Sequence, residues 1–512
     1  MKNDFYFLLL LAFLVGCAPQ VAEEMVQQDG TEKYQRPELK PFYHGVASGD
    51  PLSDRVVIWT RVTPENDAEL QLTWQVSKTK NFAQPDKQGK FTTSAARDYT
   101  AKIDVVGLDP GTNYFYRFSS KDNWSAVGKT KTLPVDDPEK VKFAVVSCSN
   151  FEAGYFNAFA RIADRTDLDA VLHLGDYIYE YGVGTYGDTA LGRLNMPPGE
   201  IITLPDYRTR YSLSRLDPDF QRVHQNHPFI TIWDDHEFTN NAYVGGAQNH
   251  QDDEGDYEER KAAARQAYYE WLPIRESGVH YRDFKYGDLV HLIMLDERVE
   301  GRSAPVDSFS QANYENADRS MLGTTQLAWF QRKLEETAQW RVVGNQVLFS
   351  GLQYADTRRS PVNLDSWDGW PYEQNQIKNF LASEQIKNAI FVTGDTHASW
   401  AFETPLRSLE YRADGSANVA VEFGTTSISS SNMGDSNPRA KVIELEEKYL
   451  ELNPHLKFVR MREHGYLLLV ISSDKAISEY YYVNTVSEPS GVEKMEKKFI
   501  VNSGESILQV PR

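Results

Sequence analysis

Hydrophobic and polar positions alternate over short distances in the first quarter of the chain. Longer apolar runs interleaved with helical periodicity follow. Between about 42 and 134 the segments RVVIWTR (55–61), ELQLTWQVS (69–77), YTAKIDVVG (99–107), NYFYRFS (113–119) and SAVGKTKTL (125–133) are short and set off by turn residues. That spacing predicts an all-β unit. From about 141 to 486 the pattern changes. FNAFARIADR (156–165) puts Phe156, Phe159 and Ile162 on one helical face, and EERKAAARQAYYEWLP (258–273) is rich in helix formers and stopped by Pro273. TTQLAWFQRKLEE (324–336) carries an apolar stripe behind a threonine cap. Strand-like runs alternate with these: DLVHLIMLD (288–296), RVVGNQVLFS (341–350), NAIFVT (388–393), ANVAVEFG (417–424) and GYLLLVIS (465–472). Such alternation predicts a layered α/β domain built as a two-sheet sandwich. The polar interval 183–206 and the acidic stretch 250–259 read as surface loops near a cleft, and 487–512 is a charged tail without a legible pattern.

Within the first unit, LDPGTNYFYRF (108–118) has the L-x-P-x-T-x-Y spacing of a fibronectin-like β-sandwich, in which the tyrosine hydrogen-bonds back across a corner. Leu133-Pro134 followed by Asp136-Asp137-Pro138 marks a linker to the larger domain.

Upstream of both lies a targeting segment. Lys2 is followed by FYFLLLLAFLV and then Gly16-Cys17, an apolar run too short for a comfortable membrane span and placed where a secretory h-region belongs. LVGC at 14–17 matches the lipoprotein cleavage box, which makes 1–17 a signal peptide and Cys17 the lipidated first residue; an ordinary secretory signal is the other reading. Asp4 departs from the usual basic n-region. Residues 18–41 are polar and aperiodic, as a tether between lipid and domain should be. Ala18, rather than Asp, follows the cysteine, which favours an outer-membrane or periplasm-facing cell-envelope lipoprotein.

Composition narrows the partners. The 512 residues carry a net charge of −19, a field that repels polyanions and excludes nucleic acid as a general partner. A phosphorylated substrate therefore needs concentrated local positive charge, which metal ions supply. Cys17 and Cys148 are the two cysteines; with the first lipidated, Cys148 is a lone thiol in an exported protein, protected by burial or by a metal.

Candidate chemistry sits where apolar runs stop. VKFAVV ends in Ser147-Cys148-Ser149-Asn150, VLHL in Gly175-Asp176 with Tyr177, Tyr179 and Tyr181 behind it, PFITIW in Asp234-Asp235-His236-Glu237, and NAIFVT in Gly394-Asp395-Thr396-His397. Ligands of α/β proteins bind at the carboxyl ends of strands. Asp176 can bridge two cations, Tyr179 can add a phenolate suited to ferric iron, and Cys148 can serve as a soft thiolate. Taken singly, G-D-x-x-Y is as well read as a helix cap, and Cys148 as a buried structural residue. Asp235 could hold a second metal, and His236 could act beside the substrate as general acid. Asn240 and Asn241 offer neutral oxygens fitting a calcium-like ion. Asp395 and His397, two residues apart, point the same way in extended chain. Four such ends together outweigh the structural readings of each.

The chain resembles the alkaline phosphatase D (PhoD-like) family of metallophosphoesterases. The likeness rests on HGVASGDPLSDRVVIWTRVTP (44–64), SCSNFEAGYFNAF (147–159), HLGDYIYEYG (173–182), PDYRTRYSLSRLDPDFQ (205–221), IWDDHEFTNN (232–241), AYYEWLPIR (267–275), MLGTTQLAWF (321–330), WDGWP (367–371), VTGDTHASW (392–400) and EFGTTSISSS (422–431). It implies an α/β fold, a metallophosphoesterase-type layered αββα sandwich over 141–486, preceded by the small fibronectin-like β-sandwich. It also implies one ferric iron with calcium. Cys148, Asp176, Tyr179 and His397 surround the iron in that reading. Asp235, Asp395 and Asn241 lie on the second-metal side, bridged by Asp176, and His236 lies near the phosphate. The division of Asp395 and His397 between the metals stays open. The family's common twin-arginine leader is absent from Lys2-Asn3-Asp4. The expected reaction is metal-assisted hydrolysis of a small-molecule or lipid phosphoester at the cell envelope, for phosphate release. Phospholipase D-like phosphodiesterase activity, with specificity set by 183–206, is the alternative within enzymes. A non-catalytic surface-binding lipoprotein is the alternative outside them.

Overall fold

The computed structural model describes residues 30–354, 363–407 and 411–511. Cys17, the signal peptide and the first part of the expected tether lie outside the described residues. Two sheets stacked face to face form the centre. One has nine described strands in the order Glu493–Asn502, Lys475–Val483, Gly465–Ile471, Val141–Val146, Ala170–His173, Pro228–Thr231, Val46–Gly49, Arg55–Arg61 and Thr100–Val106. The other has seven: Arg282–Tyr286, Val290–Met294, Trp340–Gly344, Ala389–Thr393, Asn418–Gly424, Ser399–Pro405 and Leu456–Arg460.

Side-chain alternation assigns each strand's two faces. Val141, Phe143 and Val145 point between the sheets with Ala170, Leu172, Ile390 and Val392. Ala144, Val146 and Val171 point outward, against Phe156 at the N-cap and Phe159 and Ile162 within helix Asn157–Asp164, and against helices Leu204–Arg215, Pro218–Asn226 and Tyr257–Trp271. On the far side Phe391 packs with Phe330 and Leu334 of helix Gly323–Glu335 and with Ile377 of helix Pro371–Ser383. Both faces of both sheets are covered, which is why these strands read as continuous apolar runs. The result is the layered αββα architecture.

The β-rich N-terminal region is fused to this sandwich. Strands Leu70–Ser77, Lys87–Thr93, Asn113–Ser120, Asn123–Trp124 and Gly128–Lys131 form a separate five-stranded sheet. Its apolar face, including Leu72, Val76, Tyr116 and Phe118, packs on Val56, Ile58 and Val105 of the large sheet. One leaf of the small sandwich is thus an extension of the nine-stranded sheet, joined where Val46–Gly49 runs parallel to Pro228–Thr231. The corner is present: Asp109 N–H donates to Tyr114 Oη at 2.9 Å.

Several segments differ from the sequence reading. The tether ends earlier than residue 41, because Thr31 is buried, Tyr34 sets its ring edge-on to Phe151, and Arg36 Nη2 donates to Gln221 Oε1 at 2.5 Å. The tail 487–512 contains a ten-residue edge strand, Glu493–Asn502, antiparallel to Lys475–Val483. No side-chain threonine cap begins the helix at Gly323; Ser320 Oγ accepts Gly323 N–H at 2.6 Å instead. The run 341–350 is strand only to Gly344. Beyond it two buried carboxylates replace a strand partner: Glu297 Oε2 accepts the N–H groups of Gln346 and Val347, and Glu422 those of Phe349 and Ser350.

Candidate metal centre

The parallel neighbours Val141–Val146, Ala170–His173 and Pro228–Thr231 end side by side, and Ala389–Thr393 ends opposite them in the second sheet. Glycines let the ends close together. Gly175 has φ +105°, and a Cβ on it would collide with Asp234 Cβ and N; a Cβ on Gly394 would sit 2.8 Å from Ser147 Cβ. Cys148, Asp176, Asn241, Asp395 and His397 all have φ between +54° and +62°. Non-glycine residues seldom hold that conformation, and when they do the surrounding structure imposes it.

Cys148, Asp176 and His397, spread over some 250 positions of chain, bring ligand atoms within 4.8 Å of one another. Tyr179 Oη donates to Asp176 Oδ2 at 3.0 Å and lies 3.2 Å from His397 Nε2. His397 Nδ1 donates to the Ser431 carbonyl at 2.7 Å, which leaves the Nε2 lone pair facing Cys148 and Asp176. Burial pushes His397 down to about 4, so its ring is neutral near pH 7. Burial raises the Cys148 thiol, and the carboxylates of Asp176, Asp395 and Asp234 raise it further.

Asp176 also groups with Asp235 and His236, and Asp235 with Asp234 and Asp395. Asp176 is therefore shared between two clusters. Arg298, fully buried, donates from Nη2 to Asp395 Oδ1 at 3.0 Å, from Nη1 to Asp365 Oδ2 at 2.6 Å, and from Nε to Asp234 Oδ1. Burial lifts Asp234 to about 8 and Asp395 to about 7, with neighbouring carboxylates adding to it and Arg298 opposing. For Asp235 burial acts upward too, but Arg298 and His236 outweigh it and hold the group low. Asn241 N–H donates to Asp235 Oδ2 at 2.6 Å, while its side-chain amide faces Gln248 Oε1 at 3.5 Å. The structure thus ties Asn241 to the centre by its backbone.

Two buried glutamates, missed in the sequence, hold these loops. Glu237 accepts the N–H groups of Asp176 (3.0 Å), Tyr177 (2.6 Å) and Asp234 (2.8 Å), clamping two strand ends to each other. Glu180 accepts His236 Nδ1–H at 2.6 Å and Asn240 N–H at 2.8 Å, leaving His236 Nε2 for the cleft that His236 lines. Burial opposes a charge on His236, yet Glu180, Asp235 and Asp176 together raise its pKa. Tyr186, from the interval 183–206, brings its hydroxyl within 3.3 Å of His397 Nδ1. Glu180 and Glu237 lie inside runs already singled out. Arg298 follows the strand Val290–Met294, a fifth strand end carrying charge, so the same signal reaches it.

The donor set fits cations. Asp176 Oδ1 and Asp234 Oδ2 are buried without a hydrogen-bond partner, a costly state for a carboxylate unless an ion balances it. The thiol, phenol and imidazole beside Asp176 suit a harder-to-soft mixed transition-metal site, and the all-carboxylate side suits an oxygen-seeking divalent ion.

Comparisons with known proteins agree with the architecture. A family model for the PhoD-like phosphatase matches residues 143–480, and one for the PhoD-like phosphatase N-terminal domain matches 27–134. Alkaline phosphatase D of Bacillus subtilis (strain 168) is 33% identical over 495 residues, covering 92% of this chain and 82% of that protein. A solved structure of PhoD is 32% identical, with a TM-score of 0.83 and 93% of either chain covered.

Proposed function

The chain belongs to the PhoD-like phosphatase family of metal-dependent phosphoric ester hydrolases, with alkaline phosphatase activity, and on that premise we propose how its own residues divide the work. Cys148, Asp176, Tyr179 and His397 would hold a ferric ion; Asp235, Asp395 and Asn241, together with Asp176, would hold calcium. Such ions, when bound, supply Lewis acidity for the phosphoryl oxygens and a lowered pKa for water. The protein's part is positional. Glu237 fixes Asp176 and Asp234 through three N–H bonds, Arg298 ties Asp234, Asp365 and Asp395 to one guanidinium and offsets their repulsion, and the Ser431 carbonyl sets the His397 tautomer. His236, oriented by Glu180, donates its Nε2 proton to the departing alkoxide, so that the alcohol leaves neutral.

The observation that carries this reading is the sharing of Asp176 between two ligand clusters while one of its oxygens has no protein partner. We extend the proposal to place: the LVGC box at 14–17 supports export and anchoring through Cys17, with phosphate release at the cell envelope. Elemental analysis of the purified protein, paired with p-nitrophenyl phosphate and bis-p-nitrophenyl phosphate assays, tests the centre. Iron with calcium and a visible charge-transfer band are expected, with the band shifted or lost in Tyr179→Phe. Full turnover after both metals are stripped refutes it.

A further inference from the structure

The cleft of about 410 Å³ above the candidate centre is lined by two unlike sets of side chains. One is polar and includes Asp176, Asp235, His236, Asp395 and His397. The other is apolar: Leu352, Trp400, Met433, Tyr449 and Met461. Trp400 lies three residues beyond His397, and its indole N–H is held by Thr396 Oγ1 at 2.8 Å, so its polar edge is already satisfied. Tyr449 stands edge-on to it at 6.0 Å. Leu352, Trp400, Tyr449 and Met461 belong to a small hydrophobic cluster that packs helix Arg439–Leu452 on strands Ser399–Pro405 and Leu456–Arg460; Met433 stands outside it at the rim of the cleft.

The apolar surface continues outward. A second hollow of about 340 Å³ runs along the same helix, lined by Val442 and Leu445, with Lys441 and Lys448 at its edge. Met433 borders both hollows and is 38% exposed, so it forms the saddle between them. A phosphate alone uses the carboxylate side of the cleft. The hydrocarbon side has no counterpart in the phosphoryl group.

We propose that this groove, from Trp400 over Met433 to Leu445, is a subsite for the alcohol portion of the substrate, and that it takes an extended hydrocarbon chain. The preferred substrates are therefore phosphoesters of amphiphilic alcohols. The proposal deepens the hydrolase reading and rests on it for where the phosphate sits. A half-buried chain gains about twofold per methylene. Octyl compounds then exceed methyl ones by roughly 100-fold.

The test uses the metal-replete protein and two readouts. Calorimetric binding of methylphosphonate and octylphosphonate, which are not hydrolysed, gives an affinity ratio independent of turnover. Hydrolysis of methyl and octyl phosphate, kept below the micelle concentration, gives the matching kcat/KM ratio. Wild type is expected to favour octyl by roughly 100-fold in both. Met433→Lys and Leu445→Lys are each expected to cut that ratio at least fivefold; being ratios, they are insensitive to partial loss of folded protein. Octyl-to-methyl ratios near one in wild type overturn the subsite, as do ratios unchanged in both variants. Tight octyl binding without hydrolysis of any ester keeps the subsite and refutes the hydrolytic roles assigned above. Hydrolysis of both esters at equal rates does the reverse.

Discussion

At the scale of single residues, Asp176 carries the most weight. Its backbone is left-handed, its Oδ2 accepts Tyr179 Oη–H, and its Oδ1 is unpartnered and buried. Asp176→Asn is the informative change, because Asn tolerates the same backbone and nearly the same shape while losing the charge. We expect intact folding by circular dichroism, reduced metal content, and a fall in phosphatase turnover of more than about 100-fold. Near-wild-type turnover in that variant refutes its bridging role. Cys148 and His397 were legible from strand ends alone. Glu180 and Glu237 were not, since a carboxylate that satisfies backbone N–H groups looks in sequence like any other acid.

At the scale of elements, the centre depends on how closely strand ends approach. Gly175 is the point of contact between the loop carrying Asp176 and the loop carrying Asp234, and Gly394 that between the loop carrying Asp395 and the loop after Val141–Val146. Gly175→Ala places a methyl group against Asp234 at a φ that L-residues avoid, costing about 1–3 kcal/mol. Denaturant unfolding should register that loss, and the phosphatase activity should fall further than stability explains, because Asp176 and Asp234 are forced apart. An unchanged midpoint contradicts this account of the closure. Local pattern located the strands and helices well, including Arg55–Arg61, residue for residue, and helix Asn157–Asp164. It overran at 345–350, where buried glutamates rather than a neighbouring strand satisfy the backbone.

For the whole molecule, burial of neutral histidines makes stability depend on pH. Burial lowers His455 to about 4, His227 to about 4 and His173 to about 3, from an ordinary histidine value of about 6.5. The unfolded chain therefore binds these protons first as pH falls. Stability from neutral burial is complete above pH 6.5 and is lost between 6.5 and roughly 4, at up to about 1.4 kcal/mol per pH unit per histidine. His455 donates to the Gly351 carbonyl at 2.7 Å, a bond that Gln can approximate. His455→Gln should flatten the pH dependence of the unfolding free energy across that window by about one proton's slope. Parallel wild-type and variant curves rule out a buried neutral His455. Among the described residues no helix is long and apolar enough to cross a membrane.

Residue order alone determined the periodicities, hence which segments become strand or helix, and it put reactive side chains at the stops of apolar runs. Those are local properties, set by spacing along a few residues. Tertiary structure decided what depends on distance through space. The leaf of the small sandwich merges into the large sheet, Glu493–Asn502 closes an edge, and Arg298 reaches the carboxylates of three other loops. It also decided that apolar side chains line the same cleft as the acidic ones. Contacts between segments hundreds of positions apart leave no periodic trace in either partner, so only packing reveals them.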